Sequence, residues 1–302
     1  MAEDLNVIFA EFADNLGLKP KILDHFIQVG IDEDVVFGDL TVDSVVRSDC
    51  LGTARIFAKS IGRIAGIALA CKVFYHLDNQ VELLKICDDG TSVSTGDEIL
   101  VLRGNAGKLL SAERTAMNFL GKLSGIATLA HKFMEEVEGL KVKVCDTRKT
   151  TPGWRILEKY AVKTGGMTNH RMNLNDQVLI KENHLRVSGM SLADAVKQAV
   201  KANPGIIIGA EAENLEEMLQ AIESGVNYVL IDEFSQEDMK KAVKIRNKFF
   251  DETNRFVEIE ASGGITLGNI RQVAETGVDR ISIGAVTHSA KPLDLSCLFD
   301  GQ

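Results

Sequence analysis

Charged residues stand where short apolar runs end, and they fall into two sets of opposite sign. Asp146-Thr147-Arg148-Lys149 follows VKVC, His170-Arg171 follows a glycine-rich stretch, and Lys181 closes VLIK. Glu211 ends IIIGAE and Asp232 ends YVLID, 21 residues apart. In a parallel α/β sheet the C-terminal ends of the strands line the ligand site. Arg148, Lys149, Arg171 and Lys181 at such ends suit an anionic substrate, the arginines by bidentate contact. Glu211 and Asp232, one βα unit apart, are expected to face each other across the mouth and hold Mg²⁺ or ribose hydroxyls. The plain alternative is that each acid pairs with a neighbouring lysine. Carboxylates set directly after buried runs are costly without a role, which favours function. His170 alone would suit a structural part, and beside Arg171 it fits either reading. A third group, Ser262-Gly263-Gly264 and Gly284-Ala285, follows the last two strands. Barrel enzymes bind phosphate there through backbone N–H groups.

Composition sharpens the anion argument. The 302-residue chain carries a net charge of −9, which argues against nucleic acid and anionic membrane as bulk partners. Residues 146–184 nevertheless hold seven Lys/Arg against four acids, a local +3. An acidic protein that binds anions must gather its positive charge in one place, and this stretch does so. Arg155, Lys159 and Lys163 are assigned to the solvated face of a helix. The opening residues lack a basic segment followed by an apolar run, and no stretch has the length of a membrane span. Five cysteines without paired spacing argue against disulfides and zinc and for a reducing compartment, the cytoplasm.

The elements that must position these residues change character along the chain. Residues 1–125 read as an α+β unit, with strands in TARIFAKS, VELLKIC and DEILVLRG and an apolar helix in GIALACKVFYHL. A long helical region over about 111–138 is expected to break near Ser124-Gly125. From Leu140 short strands alternate with helices. Strand ends fall near Asp146, Lys181, Glu211, Asp232, Ala261 and Gly284, and helices start at Thr151-Pro152, Ser191, Asn214, Ser235 and Thr266. Ser191 with Asp194, Asn214 with Glu217 and Ser235 with Asp238 have capping-box spacing. The reading is an N-terminal α+β domain (1–125, joined by the tail 289–302) followed by an incomplete α/β barrel (126–288). Six strands fall short of eight, and KTGGMTNHR can hide another. No GxGxxG follows the first strand, so dinucleotide binding loses its main support.

The stretches SAERTAMNFLGKLSGIAT, DTRKTTPGWRILEKYAVKTGG, NHRMNLNDQVLIKENH and EASGGITLGNIRQVAETGVDRISIGAVTHS resemble the quinolinate phosphoribosyltransferase family, and GDLT at 38–41 adds a weaker match. The resemblance implies transfer of a phosphoribosyl group from phosphoribosyl pyrophosphate to the quinolinate nitrogen. Nicotinate mononucleotide, carbon dioxide and pyrophosphate are the products. It implies that Arg114 reaches the quinolinate of a partner subunit, hence a homodimer or larger assembly with shared sites. Arg148, Lys149, His170, Arg171 and Lys181 would form the cationic pocket, with Lys149, Lys181, Glu211 and Asp232 catalytic. Glu211 and Asp232 would handle ribose and Mg²⁺, and Ser262, Gly263, Gly284 and His288 would surround the ribose phosphate. Met167 stands where a small residue is common and Glu233 where Asn is usual, and the connection RNKFFDETNRF is long. Three rivals remain: a molybdenum-associated paralogue, a Schiff-base aldolase using Lys181, and a non-catalytic anion-binding protein.

Overall fold

The structure, a computed structural model, describes residues 5–35 and 37–301. In chain order it holds α1 (Leu5–Asn15), α2 (Pro20–Val35), α3 (Leu40–Val45), β1 (Leu51–Ala58), β2 (Gly62–Arg63) and α4 (Ile67–Leu77). Then come β3 (Glu82–Ile86), β4 (Ser92–Val93), β5 (Glu98–Asn105), α5 (Ala106–Glu136), β6 (Lys143–Cys145), α6 (Arg155–Thr164) and β7 (Val178–Ile180). The rest are α7 (Glu182–Ser188), α8 (Leu192–Ala202), β8 (Ile208–Ala212), α9 (Leu215–Ser224), β9 (Tyr228–Asp232) and α10 (Gln236–Thr253). The chain then runs through β10 (Glu258–Ser262), α11 (Ile270–Ala274), β11 (Arg280–Ser282), α12 (Ala285–His288) and β12 (Leu295–Gly301). Contacts divide it into two units. One takes residues up to Leu129, Ile156–Gly165 and Ala290 onward; the other takes Ala130–Arg155 and Gly166–Ser289.

In the first unit an antiparallel sheet runs β12-β1-β5-β3. Period-two alternation in β1 buries Gly52, Ala54, Ile56 and Ala58. Its outer neighbour β12, formed by the C-terminal tail, pairs with β1 over seven residues, Gly52↔Gly301 to Ala58↔Leu295. The apolar helix α4 is buried from Ile67 to Cys71 and again at Val73 and Phe74. Its N-terminus is capped from a distance: Gly66 and Ile67 N–H donate to Asp89 at 2.8 and 3.0 Å. Tyr160 Oη donates to the same carboxylate.

The expected break in the long helix does not occur: α5 is continuous over 31 residues. Gly121 and Gly125 serve close approach instead. Leu293 N–H donates to Gly121 O, and a Cβ on Gly125 would stand 2.1 Å from Lys291 O. Ser124 Oγ takes the Ala65 N–H. These residue types mark where another segment crosses, so the helix has no reason to stop.

The solvated face read over α6 holds only for Lys163. Lys159 and Glu158 are fully buried, because residues 156–165 pack inside the first unit; Lys122 Nζ lies 3.6 Å from Glu158. Arg155 is half-buried and donates to Thr150 Oγ1 and to the Met172 and Arg148 carbonyls.

In the second unit six strands are all parallel in the order β6-β11-β10-β9-β8-β7. The suspected extra strand is a single parallel bridge, Cys145↔Thr168, with Thr168 N–H donating to Val144 O at 2.8 Å. The sheet is an incomplete barrel, and its outward residues (Ile180, Ala210, Val229, Ile231, Ile259, Ala261, Ile281) are buried. Each such Ile or Val side chain contributes roughly 1.5–3 kcal/mol. The N-cap half of each pattern forms as read: Ser191, Asn214 and Ser235 accept from the N–H of Asp194, Glu217 and Asp238. Two helices start later than expected. Residues 152–154 make a turn before α6, and Asn269, whose Oδ1 takes the Thr266 N–H, precedes α11. Among the described residues no helix is long and apolar enough to cross a membrane.

Candidate active site

Strand register decides which side chains share the barrel interior. Glu211 pairs with Leu230, Leu230 with Glu260, and Glu260 with Arg280, so these four lie level on one face. One step towards the mouth Asp232 pairs with Ser262. One step the other way Gly209 pairs with Tyr228. Glu211 and Asp232 therefore share a face but are offset by one step along it, and do not stand level as the spacing suggested. Glu211 is held by its other neighbour: Lys181 Nζ makes an ion pair with Glu211 Oε2.

A cavity of about 320 Å³ opens at the strand C-termini. Arg148, Lys149, His170, Arg171, Lys181, Asp232 and Ser262 all line it, so one space collects most of the residues picked out in the sequence. Its floor is apolar where Leu179 and Leu230 reach in. Four of its lining side chains are cations, Arg148, Lys149, Arg171 and Lys181, against the carboxylates of Asp232 and Glu260. Burial, then the guanidiniums of Arg171 and Arg155, push the Arg148 pKa down, and Arg148 Nε is buried without a hydrogen-bond acceptor. Buried donors are ordinarily satisfied, so an orphan in a cationic cavity points to an anionic ligand. Arg171 is oriented by its own loop, Nη1 donating to Gln177 O at 2.9 Å.

The phosphate-side residues cluster as well. A Cβ at Gly284 would lie 3.0 Å from Lys149 Cδ and 3.1 Å from His288 Nε2, which places all three together. Thr287 Oγ1 donates to Lys149 O at 2.7 Å and pins that backbone. Gly263 has φ +86°, and a Cβ there would meet Glu233 Cγ at 2.7 Å and Asp232 Oδ1 at 3.0 Å. Only glycine allows both the conformation and the approach. Glu233 itself has φ +55°, left-handed backbone that Asn adopts more easily than Glu. Its N–H donates to Ser262 O, which holds the two strand ends together.

Arg114 is not among the cavity's lining residues. It lies on α5 in the first unit, largely exposed, 3.6 Å from Glu113. The sequence reading also missed several residues that line the cavity: Thr147, Ser282 and above all Glu260. Glu260 is fully buried, with Oε1 3.2 Å from His170 Nε2 and Oε2 3.1 Å from Arg280 Nε. Burial alone would raise its pKa, yet His170, Arg280 and Ser282 bring it below the ordinary range. The signal was present in EIEAS, where Glu258 and Glu260 repeat at strand period two.

Residues 126–297 match the family model of the quinolinate phosphoribosyl transferase C-terminal domain, and residues 39–124 match that of its N-terminal domain. The chain is 39% identical to a probable nicotinate-nucleotide pyrophosphorylase [carboxylating] of Bacillus subtilis, over 94% of this chain and 93% of that protein. A counterpart in Synechocystis is 37% identical, over 91% and 92%. Among solved structures, the nicotinate-nucleotide pyrophosphorylase of Francisella tularensis superposes with a TM-score of 0.86 at 37% identity, covering 93% of this chain and 96% of that one.

Proposed function

The chain belongs to the quinolinate phosphoribosyl transferase family, and from that premise we propose that the strand-end cavity is where it makes nicotinate mononucleotide. Its activity is transfer of the phosphoribosyl group of phosphoribosyl pyrophosphate to the quinolinate nitrogen, with release of pyrophosphate and carbon dioxide, a step of NAD biosynthesis. The observation that carries the assignment of the site is the cationic cavity with its unsatisfied, buried Arg148 Nε. A planar dicarboxylate supplies two acceptors to arginine forks. The matched relatives carry this chemistry, and an aldolase use of Lys181 would leave Arg148 and Arg171 without purpose.

Arg148, Arg171 and Lys181 bind the quinolinate carboxylates, and Lys149 meets the diphosphate. Ser262, Gly263, Gly284 and His288 take the ribose phosphate. The ring nitrogen attacks the anomeric carbon as the bond to pyrophosphate breaks, and Asp232 and Glu211 stabilise the positive charge that develops on the ribose. The glycosylated nitrogen then draws in the electron pair of the adjacent carboxylate, carbon dioxide leaves, and a proton takes its place. Orientation of the two reactants is the main task of the pocket.

Among the described residues no group of three or more metal-ligating side chains gathers. Asp232 with Glu211 suits Mg²⁺, which typically takes one or two carboxylates, substrate phosphates and water. When bound it would neutralise charge on the departing diphosphate. The test is an ultraviolet assay of quinolinate consumption. Turnover is expected only with phosphoribosyl pyrophosphate and Mg²⁺ both present, and quinolinate loss without the donor would overturn the reading.

The working unit is a homodimer or larger in the cytoplasm, with Arg114 given to the partner's cavity. Two observations support sharing. Arg114 is exposed in the first unit, which also presents Phe37, Leu40 and Val45 to solvent. Arg114→Ala and Lys181→Ala chains should each be inactive. Random mixing should restore about a quarter of wild-type activity, since half the dimers then hold one intact site of two. No recovery after exchange verified by mass spectrometry would rule out sharing.

A further inference from the structure

His170 was grouped with the cationic residues that touch substrate, yet both of its ring nitrogens already face protein atoms. Nδ1 accepts the backbone N–H of Arg171 at 2.7 Å. A nitrogen that accepts carries no proton, so the ring proton sits on Nε2, and Nε2 lies 3.2 Å from Glu260 Oε1, close but without hydrogen-bond alignment in the ligand-free protein. The other Glu260 oxygen is 3.1 Å from Arg280 Nε, and Arg280 stacks over the Tyr228 ring at 4.9 Å. Tyr228 in turn packs edge-on to His170, with ring centroids 6.0 Å apart. At the near end, Asp146 Oδ1 takes the His170 N–H at 2.7 Å. His170, Arg171, Glu260 and Arg280 are all at least nine-tenths buried. A charge as deep as Glu260 is expensive unless paired, and hydrophobic residues fill barrel interiors at lower cost. Its presence directly beneath the cavity calls for a task.

We propose that Glu260 is a positioning residue: anchored on Arg280, it fixes the His170 ring, whose Nδ1 then holds the Arg171 backbone so that the Arg171 guanidinium points at the quinolinate carboxylates. His170 is then a neutral strut between the barrel floor and the substrate loop, and the cationic set reduces to Arg148, Lys149, Arg171 and Lys181. The arrangement has the logic of carboxylate–histidine pairs that orient a ligand from behind. It rests on the quinolinate reading of the cavity.

Two measurements test it. The first is nitrogen-15 NMR of ring-labelled histidine in the wild-type protein, with the His170 signals identified by their loss in His170→Gln. The expected result is the Nε2–H tautomer, unchanged when quinolinate saturates the site. A doubly protonated ring, or a tautomer change on binding, would mean direct substrate contact and overturn the proposal. The second is steady-state kinetics of Glu260→Gln, which keeps shape and removes charge. The quinolinate KM should rise about tenfold while the phosphoribosyl pyrophosphate KM stays within about twofold. Equal changes in both, or none, would mean that Glu260 supports only the fold. Should Glu260→Gln fail to fold, the wild-type spectrum decides alone. Absence of quinolinate turnover by the wild-type enzyme would instead sink the functional reading, a separate outcome.

Discussion

Arg171→Ala is expected to lower kcat/KM for quinolinate by about a hundredfold to a thousandfold, the range for truncating a buried, hydrogen-bonded charge in a recognition site. The side chain is almost fully enclosed and braced on Gln177 O, so its fork reaches the ligand with little entropy left to lose. Lysine is not an adequate substitute, because one ammonium cannot reproduce two parallel contacts. Arg171→Lys should therefore recover only a minor share of the loss. The same change has an opposite effect on the empty protein. Burial depresses the Arg148 pKa most, and the nearby guanidiniums of Arg171 and Arg155 add to it, so the cations repel one another in the ligand-free protein. Arg171→Ala should leave the Tm of the ligand-free protein unchanged or slightly higher, while abolishing the rise in Tm that quinolinate gives the wild type. A variant that keeps the ligand-induced rise would show that Arg171 does not face the substrate.

The second large effect is on stability. Gly125→Ala is expected to destabilise by about 3 kcal/mol, against a helix-propensity gain of about 1 kcal/mol that would act the other way. The added Cβ would stand 2.1 Å from Lys291 O and 2.9 Å from Pro292 Cα, and backbone cannot swing aside as a flexible side chain can. The segment must shift and strain the Leu293 to Gly121 hydrogen bond. A fall in Tm of about 5 °C follows for a chain of this size. Gly268→Ala serves as control, since its Cβ would meet nothing nearer than Thr266 Oγ1 at 3.9 Å. A Tm for Gly125→Ala at or above wild type would mean that propensity governs this turn of α5 and the crossing does not.

What the sequence made legible follows from how local each signal is. The caps at Ser191, Asn214 and Ser235 are settled within four residues, and all three form. The mouth residues Arg148, Arg171, Lys181 and Asp232 were legible because charge directly after an apolar run has few structural explanations. Lys159 was not, since a helix's period cannot reveal that both of its faces are covered. Nor was Glu260. Its role depends on register with Leu230 and Arg280, contacts made across strands that no local pattern encodes. Gly125 misled for a related reason: a glycine that breaks a helix and one that admits a neighbour look alike in sequence.

The pairing of β1 with β12 has a consequence for synthesis. Arg55 and its partner Asp300 are separated by 245 residues, so when β1 leaves the ribosome its outer neighbour has yet to be translated. The nascent sheet must wait with one hydrogen-bonding edge bare while the whole barrel is made. Polypeptides released before residue 295 are therefore expected to aggregate more readily than the full chain.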